Sequence, residues 1–85
     1  GEERQTATRI WQTLQFMRDA SRQGLPIAGI EDAATSRLEA AGFVVDYTEI
    51  RRADLSRARN PVEQGLVALI AARLGRTRLI DNLEV

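Results

Sequence analysis

The sequence predicts an α+β fold in which two helices pack on a small three-stranded antiparallel sheet. Three observations carry that prediction. Two early blocks place apolar residues at steps of three and four. A middle stretch, "FVVDYTEIRR", is rich in β-branched and aromatic residues, and the last third holds two apolar-containing runs separated by Gly75-Arg76.

Taken in order, the block from Glu2 to Gln23 carries Ala7, Ile10, Trp11, Leu14, Met17 and Ser21 along one helical stripe, and this spacing assigns Trp11 and Met17 to the core. Gly24 and Pro26 stop the helix, and "GLPIAG" forms a short loop. The second helical pattern is built on Ile30, Ala33, Ala34, Leu38 and Ala41 and ends at Gly42. Phe43, Val45 and Tyr47 then alternate with Val44, Asp46 and Thr48, which fits a strand. "RADLSRARNP" reads as an irregular polar connection anchored by Leu55 and closed by a turn at Asn60-Pro61. The run Gly65 to Gly75 has the length of a strand or of a short helix. The tight-turn chemistry of Gly75-Arg76 decides for a hairpin. On its last strand Leu79 packs, as does Ile80 on the opposite face, while Arg76, Arg78, Asp81 and Asn82 gather around the turn and the strand end.

Bulk composition excludes several functions. An 85-residue chain is one small domain that buries roughly 60% of its unfolded surface, with little room for a deep cleft. Its 12 basic and 12 acidic residues balance, and a pI near 6.5 offers no broad positive field for nucleic acid or anionic lipid. The chain has no cysteine for disulfides or thiolate metal sites, and no histidine for a neutral-pH proton shuttle. No apolar stretch approaches the roughly 20 residues a membrane helix requires, so the expected setting is the cytoplasm. Every basic residue is arginine, whose planar fork suits carboxylates and phosphates but cannot serve as a general base. The chain starts at Gly1 instead of a methionine, as an excised piece of a longer protein would.

Two clusters of arginine admit more than one reading. Arg51, Arg52, Arg57 and Arg59 are interspersed with acidic residues, as in a solvated loop, and a phosphate-binding patch is the alternative. For Arg76, Arg78, Asp81 and Asn82, local ion pairing and turn capping compete with ligand contact.

The terminal stretch "AARLGRTRLIDNLEV" resembles the carboxy-terminal end of the ATP-dependent pantoate–β-alanine ligases, where an Ala-Ala-Arg-Leu-Gly strand is followed by Thr-Arg-Leu-Ile-Asp-Asn. "VVDYTEIRRADL" is similar to that family's Val-Asp-Tyr-x-Glu-Ile/Leu strand, and "EERQTATRIWQTL" to the Glu-Glu-Arg-x-x-Ala helix opening its second domain. The resemblance spans nearly the whole chain in order and spacing. It implies a carboxy-terminal lid over an amino-terminal nucleotide-binding domain that is not part of this sequence. That absent domain would carry the His-x-Gly-His-type motif, a lysine-containing site and most contacts to ATP and magnesium. It further implies pantoate, β-alanine and ATP as substrates of the whole enzyme, pantoyl adenylate as its intermediate, and a homodimeric state. The isolated domain is expected to fold but not to ligate. Arg73, Arg76, Arg78, Asp81 and Asn82 are the expected contacts between lid and main domain, with an arginine near the phosphates.

Two other classes share the same pattern. A winged-helix module would use "IEDAATSRLEAAGF" as its recognition helix and "ARLGRTRLI" as its wing, against a neutral charge balance. A small interaction domain would pair a sheet edge with a partner or with its own copy.

Overall fold

In the computed structural model, which describes residues 2–85, helix α1 runs from Glu2 to Arg22 and α2 from Ile27 to Ala40. Strands β1 (Val44–Arg52), β2 (Leu66–Leu74) and β3 (Thr77–Glu84) follow and form one antiparallel sheet in the order β1-β2-β3. The two helices pack on one face, α1 over β2 and β3 and α2 over β1. This is the α+β arrangement that the sequence predicts.

The buried seam of α1 differs from the expected stripe. Ile10, Leu14, Met17 and Ser21 are buried, but Ala7 is exposed and Trp11 keeps 43% of its surface in solvent. Thr6, Thr13 and Ala20 take their place. The reason is geometric: α2 and the sheet flank the same side of the Ile10–Leu14–Met17 line, and no described element covers the side where Trp11 projects. Threonine is tolerated in that seam because its methyl packs while its hydroxyl returns to the helix, as Thr13 Oγ1 does by donating to Arg9 O at 2.8 Å. Ser21 ties the end of the helix down, its hydroxyl donating to Pro61 O at 2.6 Å.

Both helices end in the same way. After α2, Phe43 N–H donates to Leu38 O and Gly42 N–H to Glu39 O, with Gly42 at φ +92°; Leu25, Gly24 and their acceptors repeat the pattern after α1. These are Schellman caps, in which a left-handed residue satisfies carbonyls that the helix leaves open. Phe43 is then carried into the core.

On the sheet's inner face, Leu66, Ala68, Ile70 and Ala72 of β2 lie between Thr48 and Ile50 of β1 and Leu79 and Leu83 of β3. Alternating large and small side chains on the central strand let α1 approach it closely. The turn from β2 to β3 is the two-residue Gly75-Arg76 pair, with positive φ (+59°) at Gly75 alone, as a type II′ hairpin has it. Ile80 lies on the opposite face as expected but does not pack; it is 56% exposed because no described element covers it.

Each outer strand spends a carboxylate on its free edge. Glu31 of α2 reaches the outward N–H of Ile50 at 2.9 Å, and beside it Thr48 donates to Glu31 O at 2.8 Å while sharing a 2.7 Å bond with Thr35. On β3, Val85 N–H points inward to Leu66 O, so Asn82 N–H points outward, where Asp81 Oδ1 accepts it at 2.8 Å. Unpaired donors on a strand edge invite pairing with another chain, and these carboxylates interrupt that row.

The apolar anchor of the β1–β2 connection is Ala58, half-buried against the core, and not Leu55. Leu55, expected to provide one, is 63% exposed with φ +69°, because the local frame is polar: Arg52 N–H bonds Ser56 O, and Asp54 accepts both the N–H and the hydroxyl of Ser56. Asn60 closes the turn as expected, its Oδ1 accepting Val62 N–H. Glu63 organises this segment, accepting from the N–H groups of Arg59 and Asn60 and from Arg52. The Asn60 and Arg59 N–H groups, then the Arg52 guanidinium, hold its carboxyl below the usual glutamate range.

Two outcomes follow for stability. At Gly42 a new Cβ would meet Leu74 at an ordinary 3.6 Å, so Gly42→Ala costs backbone strain alone, about 1–2 kcal/mol in chemical unfolding. Gly29→Ala, inside α2 with nothing within 4 Å of the added Cβ, raises stability by about 0.5–1 kcal/mol. The lowered carboxyl of Glu63 has a definite sign: its contribution is present above the ordinary glutamate pKa and lost as pH falls through the lower folded value. Amide exchange at Arg59 and Asn60 therefore accelerates with acidification across that window, beyond the intrinsic trend, and Glu63→Gln removes the pH step.

Candidate functional site

The expected site residues divide between two places. Arg73, at the end of β2, and Arg78, at the start of β3, are register partners on the open face of the sheet, and Arg76 occupies the turn between them. Asp81 and Asn82 sit further along β3, about 10–13 Å from Arg78 by strand rise. Asp81 is placed on the helix side opposite Ile70, and Asn82 on the open side opposite Leu69. The three arginines are therefore brought together, and the Asp-Asn pair is not part of their group. The Asp81 carboxylate is engaged with the strand edge.

Two arginines directly opposite each other repel, and the structure relieves this with Asp46. The register of β1 slips between Val45 and Tyr47, leaving Asp46 without a partner on β2. This bulge presents the carboxylate to Arg78, which reaches over the central strand so that Nε and Nη2 both meet Oδ2 at 3.0 Å. The pair links the two outer strands across Arg73. Both members are about half exposed, so the link is worth roughly 0.2–1 kcal/mol. Arg73 and Arg76 form no ion pair among the described residues.

On the helix side of the same end, Arg4, Gln5, Thr8 and Arg9 of α1 line a groove with Ala41, Phe43 and Leu74. The hairpin end thus gathers Arg4, Arg9, Arg73, Arg76 and Arg78. Asp46 and the two α1 arginines were not anticipated from sequence. Nothing in "VVDYTEI" signals a bulge, and Arg4 and Arg9 become neighbours of Leu74 only once α1 is laid along β2.

The remaining arginines are mostly engaged. Arg18 pairs with Asp19, Arg51 with Glu49 and Arg52 with Glu63, and Arg37 stacks 4.4 Å from the Phe16 ring centroid. Of the Arg51–Arg59 cluster, the first two are thus neutralised locally, which favours the solvated-loop reading over a phosphate patch. Among the described residues no group of three acidic side chains converges into a metal site, and no helix is long and apolar enough to cross a membrane.

Comparison with known proteins places this geometry. Residues 1–84 match the family model described as pantoate-beta-alanine ligase. The chain is 54% identical over 83 residues to a pantothenate synthetase of Xanthomonas oryzae pv. oryzae, and 51% over 87 residues to one of Xanthomonas campestris pv. campestris, covering 98% of this chain in both. It superposes on a crystal structure of pantothenate synthetase from Thermus thermophilus with a TM-score of 0.82 at 31% identity, over 99% of this chain. It spans only about 30% of the length of these relatives. A match across the described fold and both termini of the sheet displaces the winged-helix reading: the chain belongs to the pantoate–β-alanine ligase family.

Proposed function

We propose that the chain is the carboxy-terminal lid domain of an ATP-dependent pantoate–β-alanine ligase. The observation that carries this reading is the family match over residues 1–84 of an 85-residue chain that spans under a third of its relatives. In the reaction, a carboxylate oxygen of pantoate attacks the α-phosphorus of ATP and pyrophosphate leaves. The amine of β-alanine then attacks the acyl carbon of pantoyl adenylate, AMP departs with the bonding pair, and the nitrogen loses a proton.

The acyl adenylate is prone to hydrolysis, so an enzyme that makes it gains from closing water out. A three-stranded sheet backed by two helices is a rigid plate suited to that task. The hairpin end is the part we assign to the nucleotide side, because Arg73 and Arg76 bring charge that no described carboxylate neutralises. Arg78 has a different part: held by Asp46, it fixes the hairpin against β1. Asn82 remains a candidate contact on the open face, and Asp81 serves the edge of β3. ATP and magnesium are assigned to the other domain, together with the histidine and lysine this chain lacks, and the partner of the lid is that domain of its own polypeptide. The carboxylates on the sheet edges argue against an edge-pairing interaction module.

The parent enzyme supplied with ATP, pantoate and β-alanine is expected to release AMP only when pantoate is present, and to form amide only with both acids. Arg73→Ala with Arg76→Ala should lower AMP release by roughly 10- to 100-fold, with KM for pantoate changed less than kcat. Unchanged rates in that variant would remove the arginines from the reaction and leave the hairpin a structural end. The 85-residue chain alone is expected to release no AMP.

A further inference from the structure

The groove on the helix side of the hairpin end has a chemistry of its own, with a volume of about 420 Å³. Its wall is a single helical patch. Arg4 stands one turn before Thr8, and Gln5 one turn before Arg9, so the four side chains form a two-by-two array with the guanidinium groups at opposite corners. The two arginine Cα positions are separated by about 7.5 Å along the axis. Its floor is apolar: Phe43 is buried, and Ala41 and Leu74 are half-buried beside it.

Neither arginine is neutralised by a described residue. Among the described residues Arg4 and Arg9 form no ion pair, whereas Arg18, Arg51, Arg52 and Arg78 each hold a carboxylate. The two halves of the groove ask for different things. An inorganic anion would satisfy the guanidinium groups and leave the floor wet. A hydrocarbon would cover the floor and leave the cations unanswered. A carboxylate carried on a compact aliphatic body meets both, since its oxygens accept from arginine, amide and hydroxyl donors while its carbon skeleton covers Phe43 and Leu74.

We propose that the Arg4–Arg9 groove is a binding site for a small aliphatic carboxylic acid. The site stands on this domain alone and does not depend on the ligase reading. Occupation would brace the first turns of α1 against the Gly42 turn and the end of β2.

The test is a titration of the isotope-labelled 85-residue chain with 3-methylbutanoate, followed through backbone amide shifts. Acetate and inorganic phosphate are titrated in parallel at matched ionic strength. The expected result is a saturable shift centred on Thr8, Phe43 and Leu74 with Kd on the order of 1 mM, as a half-open site for so small a ligand allows. Acetate and phosphate should bind at least about fivefold more weakly, because the floor supplies the difference. Arg4→Gln with Arg9→Gln should weaken 3-methylbutanoate about tenfold or more, and Arg22→Gln, at the far end of α1, should leave it unchanged. The proposal is overturned if no saturable shift occurs, if acetate or phosphate matches 3-methylbutanoate, or if the double variant binds as the parent chain does.

Discussion

The inner face of β2 is the constraint on which the rest of this domain depends. It is the only strand with a neighbour on each side, and Leu66, Ala68, Ile70 and Ala72 are all sealed beneath α1. A three-stranded sheet with one face in water holds together only if the other face is covered. In a chain of 85 residues the core is small, so the same side chains must join the strands and seat both helices. That economy explains why β2 is the most hydrophobic stretch, and why its small residues alternate with large ones.

The positions of the arginines follow from this arrangement. With α1 laid along β2, its first turns come level with the hairpin, and charges far apart in sequence share one end of the plate. The bulge at Asp46 adds a second level of order. One unpaired residue on β1 turns a carboxylate toward an arginine two strands away, which leaves its neighbours Arg73 and Arg76 as the open positive charge. Charge distribution at this end is therefore a product of register, not of local composition.

Much of this was legible in the sequence. Periodicity locates both helices, glycine marks both of their ends, and Gly75-Arg76 marks the hairpin, because each depends on local backbone preference. What escaped local reading depends on tertiary neighbours. Trp11 and Met17 fit the same stripe equally well, and only the position of α2 decides which flank is covered. Leu55 looks like an anchor until the connection is seen to be held by Asp54 and Glu63. The three clustered arginines of the terminal signature are found together, while Asp81 has an edge to serve that no motif describes. Within that stretch Arg78 is ion-paired with Asp46, and the Asp81 carboxylate accepts the N–H of Asn82.

The occupied sheet edges bear on how such a domain lets go. Strand-to-strand contact forms a cooperative row of backbone bonds and separates slowly, whereas contact through side chains on a face can break piecemeal. With Glu31 on one rim and Asp81 on the other, this plate is steered toward touching its surroundings by its faces and its hairpin end. For the lid proposed above, which would close and reopen on each catalytic cycle, that is the difference between a cover that releases product and one that welds shut.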